Sequence, residues 1–338
     1  MKKKRKFLVA ALLLILIIGG ILLGRFIYKN SVLREIVQNK KDETAKNDVV
    51  ATVEGETLTE SECRVYLVAL QSRVEGIYGS EIWGYEVNEE GETYKEMLKD
   101  QLLEKLIYIK VVCANAEDYG VEFNSEDQVE VNGYVTDFFS SISETTADKY
   151  SLSKELVTGI YRDNVLATKV YNKITLGYEV ETTLEECRQG DFYYMTFNKY
   201  YTDDNGNIQY YIGDDLDALK AKVDEALAAA TNGDFLTAAT NYSDDPEATI
   251  TCGTETLPDD IEEDVMSLAT GQLSGVLETD DAYYIYYCVA ANNETASSTV
   301  YQLAVEEERN KYFANLYTEW YNKADIDIDT EKWEEVDF

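Results

Sequence analysis

Side chains able to do covalent or metal chemistry are few in this chain. Among 338 residues there is no His. Ser-His-Asp and Cys-His nucleophilic arrangements are therefore excluded, as is any metal site with imidazole ligands. There are five Cys, at 63, 113, 187, 252 and 288, an odd number without metal-type spacing. Cys63 and Cys113 fall on expected helices and read as buried thiols. Asp325, Asp327 and Asp329 alternate with Ile326 and Ile328. Alternation puts the three carboxylates on one solvent face of a strand, so they are not taken as a cation site. The stretch 203–207, DDNGN, resembles a calcium loop only superficially, because Ile208 stands where Gly is needed and no Glu closes the loop. What remains is Tyr, at 27 residues. Each offers an apolar body and a polar tip, suited to strand packing or to peptide contact.

Charge narrows the class further. The chain has 65 acidic and 30 basic residues, and seven of the basic ones lie in the first thirty, where there is no acid. The body is left with 23 bases against 65 acids. A nucleic-acid partner is excluded, since that needs a basic stripe to displace counterions. Lys2, Lys3, Lys4, Arg5 and Lys6 precede an uncharged run over 7–24, and Arg25 and Lys29 follow it. Eighteen helical residues span roughly 27 Å, about one bilayer core. The basic tip is expected in the cytoplasm and the acidic body outside. Residues 1–28 thus read as tip and anchor, and 29–48 as a polar linker.

The elements follow from periodicity. Residues 49–53 alternate as a strand, Glu54-Gly55 turns, and Thr59 caps a helix running through Glu62, Tyr66 and Leu70. A helix over 93–116 buries the row Leu98, Leu102 and Leu106, with Leu103 and Ile107 beside it. Ser125 is expected to cap the next helix, with Gln128 completing a capping box. Residues 153–174 are helical again. Beyond 190 the pattern changes. A strand is expected at 192–197, a hairpin turn at Asn205-Gly206 and helices at 216–230 and 235–241. A central strand over 283–289 closes this region. A long helix over 299–324 is expected to bury Leu303, Phe313, Leu316 and Trp320, and the strand at Ile326 and Ile328 ends the pattern. The fold class is α+β.

These segments together carry a resemblance. VVATVEGETLTE at 49–60 resembles the opening of the SurA/PrsA group of exported foldases, and 98–127 looks like its second helix and exit. GDFLTAATNYSDDP at 233–246 and MSLATGQLSG at 266–275, continuing to Thr279 and the YYI at 283–285, resemble a parvulin-type peptidyl-prolyl isomerase. The resemblance implies a helical chaperone region, 49–177, completed by 299–338 and interrupted by a parvulin-like domain, 190–292. It implies no cofactor and no metal. Its partners would be unfolded or newly exported polypeptides and, through the one N-terminal helix, the membrane.

The family's site pattern carries over residue by residue. Its first His falls on Tyr194, ahead of Met195, Thr196 and Phe197, and its second on Tyr284, after Tyr283. The Cys-or-Asp position falls on Asp245. The apolar proline pocket falls on Leu257 and Ile261, with Met195 alongside, and Thr279 matches the Thr near the second His. The Gly-rich loop is degraded to TCGTE at 251–255. The resemblance therefore implies Asp245, Tyr194 and Tyr284 as catalytic residues, and Leu257, Ile261, Thr279 and Met195 as substrate-binding ones. Replacing both His by Tyr keeps hydrogen-bonding groups but removes imidazole. A weak isomerase, a non-catalytic holdase and an anchored assembly scaffold all stay open at this point.

Overall fold

The computed structural model describes residues 48–254 and 256–336. The expected membrane-spanning run, 7–24, lies outside them, as does the linker up to residue 47. Among the described residues no helix is long and apolar enough to cross a membrane. The order begins with β1 (Val49–Val53), β2 (Glu56–Thr59), α1 (Glu60–Tyr78), α2 (Tyr94–Ala114), α3 (Ser125–Ser141), α4 (Glu144–Lys149) and α5 (Lys154–Gly177). It continues with β3 (Gln189–Asn198), β4 (Tyr200–Thr202), β5 (Ile208–Tyr210), α6 (Asp214–Asn232), α7 (Phe235–Tyr242), β6 (Thr249–Gly253), α8 (Asp259–Met266), β7 (Leu277–Glu278) and β8 (Ala282–Ala290). It ends with α9 (Glu294–Lys323), β9 (Ile326–Ile328) and α10 (Thr330–Glu335). The described chain is α+β and packs as two units, 48–179 with 309–336, and 180–308.

In the first unit the helix starts are set by local chemistry. The Thr59 hydroxyl accepts from the Glu62 amide at 3.2 Å, and the Glu62 carboxylate accepts from the Thr59 amide at 2.8 Å. Thr93 and Glu96 repeat the box at the start of α2. At α3 the expected cap is corrected by one position. Asn124, not Ser125, is the N-cap, and its side chain accepts from the Glu126 and Asp127 amides. Asp127 returns the bond to the Asn124 amide at 2.7 Å, which displaces Gln128 from that role. Asn caps as well as Ser does, and here its partner three residues on is a carboxylate.

Leu98, Leu102 and Leu106 are buried as one row, with Leu103 and Ile107. Leu102, Leu103, Leu106 and Ile107 pack with Val50 and Val53 of β1 and with Phe313 of α9. The hairpin turns at Glu54 and Gly55, both at positive φ, as a two-residue hairpin turn requires. β9 then pairs antiparallel with β1, opposing Ile328 to Ala51. Leu303 departs from expectation and is 62% exposed. Val305, two residues on and about 200° around the helix, is buried in its place, so at this level of α9 the opposite side is the covered one. Asp329 caps α10 through the Lys332 amide, and so belongs to a helix start. The five Cys are free thiols. Burial pushes Cys63 and Cys113 up to about 12.

The second unit is built on an antiparallel sheet of order β6-β3-β8-β7. Strand periodicity of two divides each central strand between two cores. Met195 and Phe197 of β3 and Tyr283 and Ile285 of β8 pack with Val223 and Ala226 of α6 and with Phe235 and Ala238 of α7. Phe192 of β3 and Tyr286 and Cys288 of β8 face the other way, against Leu257 and against Ile261 and Val265 of α8. β4 and β5 form a separate hairpin, turned at Gly206, where φ is 84°. Asp203 stabilises that turn by accepting from the Asn205 and Asn207 amides, both at 2.9 Å.

Candidate functional site

The second face of the sheet brings most of the expected site residues together. Tyr194 sits on β3, directly opposite Tyr286 of β8, while Tyr284 is opposite Thr196 one pleat along. The rings therefore form a row on one face. Tyr194 and Tyr286 have centroids 6.0 Å apart, and Tyr286 and Tyr284 6.2 Å apart, both pairs stacked. Leu257 and Ile261 pack in the cluster beneath, together with Phe192.

Asp245 reaches Tyr194 because the segment after α7 is strapped to β3. The Asp244 amide donates to the Thr196 carbonyl at 2.8 Å, and the Tyr194 amide donates to the Ala248 carbonyl at 3.0 Å. Ser243 Oγ accepts from the Thr196 amide at 3.1 Å and from the Asp245 amide at 3.2 Å. This places the Asp245 carboxylate over the tyrosine. The Tyr194 phenol donates to Asp245 Oδ2 at 2.7 Å, while Oδ1 accepts from the Glu247 amide at 2.9 Å. Burial, then Asp245 and then Glu247 push the Tyr194 phenol up to about 12. Below that pH it is a neutral donor with its proton directed at a carboxylate.

At the other end of the row, Thr279 stands beside the Tyr284 phenol, and burial raises that phenol above its ordinary value. Thr279 is itself fixed in the β7–β8 turn, where its Oγ1 accepts from the Ala282 amide at 3.2 Å. Lys199, the residue after β3, locks the same turn, donating to the Thr279 carbonyl and to Glu278, both at 2.6 Å.

Six of the seven expected residues thus lie on one face: Tyr194, Asp245, Tyr284, Thr279, Leu257 and Ile261. Met195 does not. It is fully buried on the opposite face, among the residues of α6 and α7. It follows Tyr194 directly in a strand, and successive side chains must point apart. Tyr286 is the residue that sequence reading missed. It is 3% exposed and joins Tyr194 to Tyr284. Its signal was available as the position two beyond Tyr284. Leu257 and Ile261 are 6% and 1% exposed, so they form a floor, and the half-buried rings of Tyr194 and Tyr284 form the accessible surface. Among the described residues no group of three or more Cys, Asp or Glu is placed to hold a metal ion. The arrangement offers an apolar aromatic surface, a phenol and a carboxylate, with no activated nucleophile.

Neither the family models nor the curated proteins give a match to this chain. Among solved structures it is similar to SurA-like chaperones and PrsA foldases. The peptidylprolyl isomerase PrsA of Bacillus cereus matches at 13% identity and TM-score 0.36, over 87% of this chain and 98% of that one. The foldase protein PrsA of Lactococcus lactis matches at 14% identity and TM-score 0.35, over 86% and 98%. A SurA-like chaperone of Campylobacter jejuni matches at 13% identity and TM-score 0.32, over 83% and 99%.

Proposed function

We propose that this chain is an extracytoplasmic foldase, anchored through residues 7–24, whose parvulin-like unit 180–308 acts on X-Pro segments of unfolded polypeptides. The observation that carries the reading is the Tyr194–Asp245 hydrogen bond at 2.7 Å above the floor of Leu257 and Ile261. It sets a proton donor and a carboxylate beside an apolar surface where a proline ring can lie. The sequence resemblance supports the same assignment from Tyr194, Asp245 and Tyr284.

The chemistry asked of such a site is modest. Rotation about a peptide bond must pass a barrier near 18–20 kcal/mol, and uncatalysed X-Pro exchange takes tens to hundreds of seconds. No bond is made or broken. A surface that grips the proline ring and binds the twisted amide better than either planar form lowers the barrier. Tyr284, stacked on Tyr286, is the ring that packs against the proline. Tyr194 and Asp245 supply the polar side. With its resonance partly lost, the twisted amide has a more basic nitrogen and a less polar carbonyl, so a donor reaching the nitrogen favours the twist.

A second reading, binding without turnover, is favoured by one feature of the same site. The Tyr194 proton is already committed to Asp245, and the floor residues are covered. The deciding experiment measures cis–trans exchange of a panel of X-Pro tetrapeptides by NMR with the full-length chain. Faster exchange, lost in Tyr284→Ala, supports the isomerase. Peptide binding with unchanged exchange supports the holdase, and neither binding nor exchange removes this face from the reading.

A further inference from the structure

An aromatic patch lies in the first unit, where the isomerase reading gives it no role. Ile77 and Tyr78 end α1 and are each 64% exposed, and Tyr85 in the following loop is 65% exposed. Trp83 and Tyr94 stand beside each other in the same segment, with ring centroids 6.0 Å apart. The Tyr94 amide bonds the Tyr85 carbonyl, so these rings gather at one place, and exposed apolar groups gathered in this way mark an interaction surface.

The segment is held in one conformation. Trp83 Nε1 donates to Glu75 Oε1 at 2.8 Å, and Gln71 donates to the same oxygen at 2.9 Å. The Val87 amide donates to the Glu92 carbonyl at 2.8 Å, and the Tyr94 amide to the Tyr85 carbonyl at 2.7 Å. Asn88 Oδ1 closes the loop by accepting from the Glu90 and Glu92 amides, both at 3.1 Å. The rings are therefore displayed by a fixed loop, which lowers the ordering cost of binding.

The charge around them selects the partner. Between residues 75 and 96 there are seven Glu and a single cation, Lys95. Glu81, Glu86, Glu89, Glu90 and Glu96 are exposed. A second copy of this acidic chain would set carboxylates against carboxylates, and an anionic membrane would be repelled likewise. A polypeptide that alternates Arg or Lys with apolar residues meets both requirements. Guanidinium groups stack on tyrosine faces and pair with carboxylates, and apolar neighbours cover Ile77.

We infer that the loop 77–94 is a docking surface for cationic, extended polypeptide segments, separate from the proline site. The test is fluorescence anisotropy with the full-length chain in non-ionic detergent. The probe is a labelled peptide alternating Arg with Leu and lacking Pro, so that the proline site contributes nothing. Versions with Gln or Glu in place of Arg are compared. The Arg peptide is expected to bind at least about tenfold tighter than the Gln peptide and to weaken as salt is raised from about 50 mM to about 500 mM. Tyr78→Ser with Tyr85→Ser is expected to weaken it about tenfold, as is neutralising Glu86, Glu89 and Glu90 to Gln. Tyr201→Ser, an exposed Tyr on the other unit, should leave binding unchanged. Equal affinity for the Arg and Glu peptides, or binding indifferent to both sets of variants, overturns the proposal. So does a dimer, or adsorption to anionic vesicles, that the Tyr78/Tyr85 variant abolishes.

Discussion

Tyr194→Phe removes one oxygen and leaves the ring stack on Tyr286 in place, so it isolates the hydrogen bond to Asp245. A hydrogen bond to a charged group contributes about 1.5–3 kcal/mol when fully buried. Both residues are only half-buried, and Asp245 keeps the Glu247 amide on its other oxygen. Water can replace the lost phenol, which brings the expected cost to about 1 kcal/mol. For a unit of this size that lowers Tm by about 4 °C. Near-UV circular dichroism is read beside Trp fluorescence, since Tyr lies in both units while the three Trp, at 83, 320 and 333, all lie outside 180–308 and report on the other unit alone. A double-mutant cycle with Asp245→Ala gives the coupling directly. Additivity within about 0.3 kcal/mol would mean that the pair is not energetically linked, and would refute the site geometry. The pH dependence has a defined sign. The folded-state phenol is raised to about 12, above its ordinary value of 10.0. Its contribution is therefore complete below pH 10 and is lost as pH rises through 12, because folding holds a proton that the unfolded chain releases. The wild-type chain should lose this increment in that window, and Tyr194→Phe should not.

Other consequences can be checked independently. Ile261→Ala leaves a void beneath the tyrosine row and should cost about 2–5 kcal/mol in urea unfolding, with weaker X-Pro peptide binding; a cost under about 1 kcal/mol would mean that the floor is not packed as described. Asn124→Ala should cost about 1 kcal/mol and Ser125→Ala less than about 0.5 kcal/mol, and the reverse order would restore Ser125 as the cap. Native chain at pH 8 should react with a thiol reagent far more slowly than denatured chain at all five Cys, because burial raises every thiol and its reactive thiolate is scarce. Rapid labelling of Cys63 would contradict that burial.

Much of the architecture was legible in the residues alone, wherever the cause is local. Thr59 announces its helix because a cap acts within one turn. The row Leu98, Leu102 and Leu106 announces a buried face because helical spacing repeats it, and Asn205-Gly206 announces a hairpin turn because Gly206 must take positive φ. Local reading also erred locally. Asn124 and Ser125 are both good caps, and only the reach of Asp127 separates them. Leu303 looked like core, but at its level of α9 the covered side is the one that Val305 occupies.

The site was decided at longer range. Sequence resemblance pointed to Tyr194, Asp245 and Tyr284 as separate positions, yet nothing in their spacing says that the phenol meets the carboxylate. That contact spans 51 residues and depends on Ser243 and Ala248 being strapped to β3. The pairing of Tyr194 with Tyr286 depends on the register between β3 and β8, and a slip of one residue would turn Tyr286 into the other core. The same parity sends Met195 away from the site that its neighbour Tyr194 builds. Composition, caps and periodicity are properties of neighbours along the chain, and the sequence settles them. Which faces share a core is a property of strand register, and only the tertiary structure decides it.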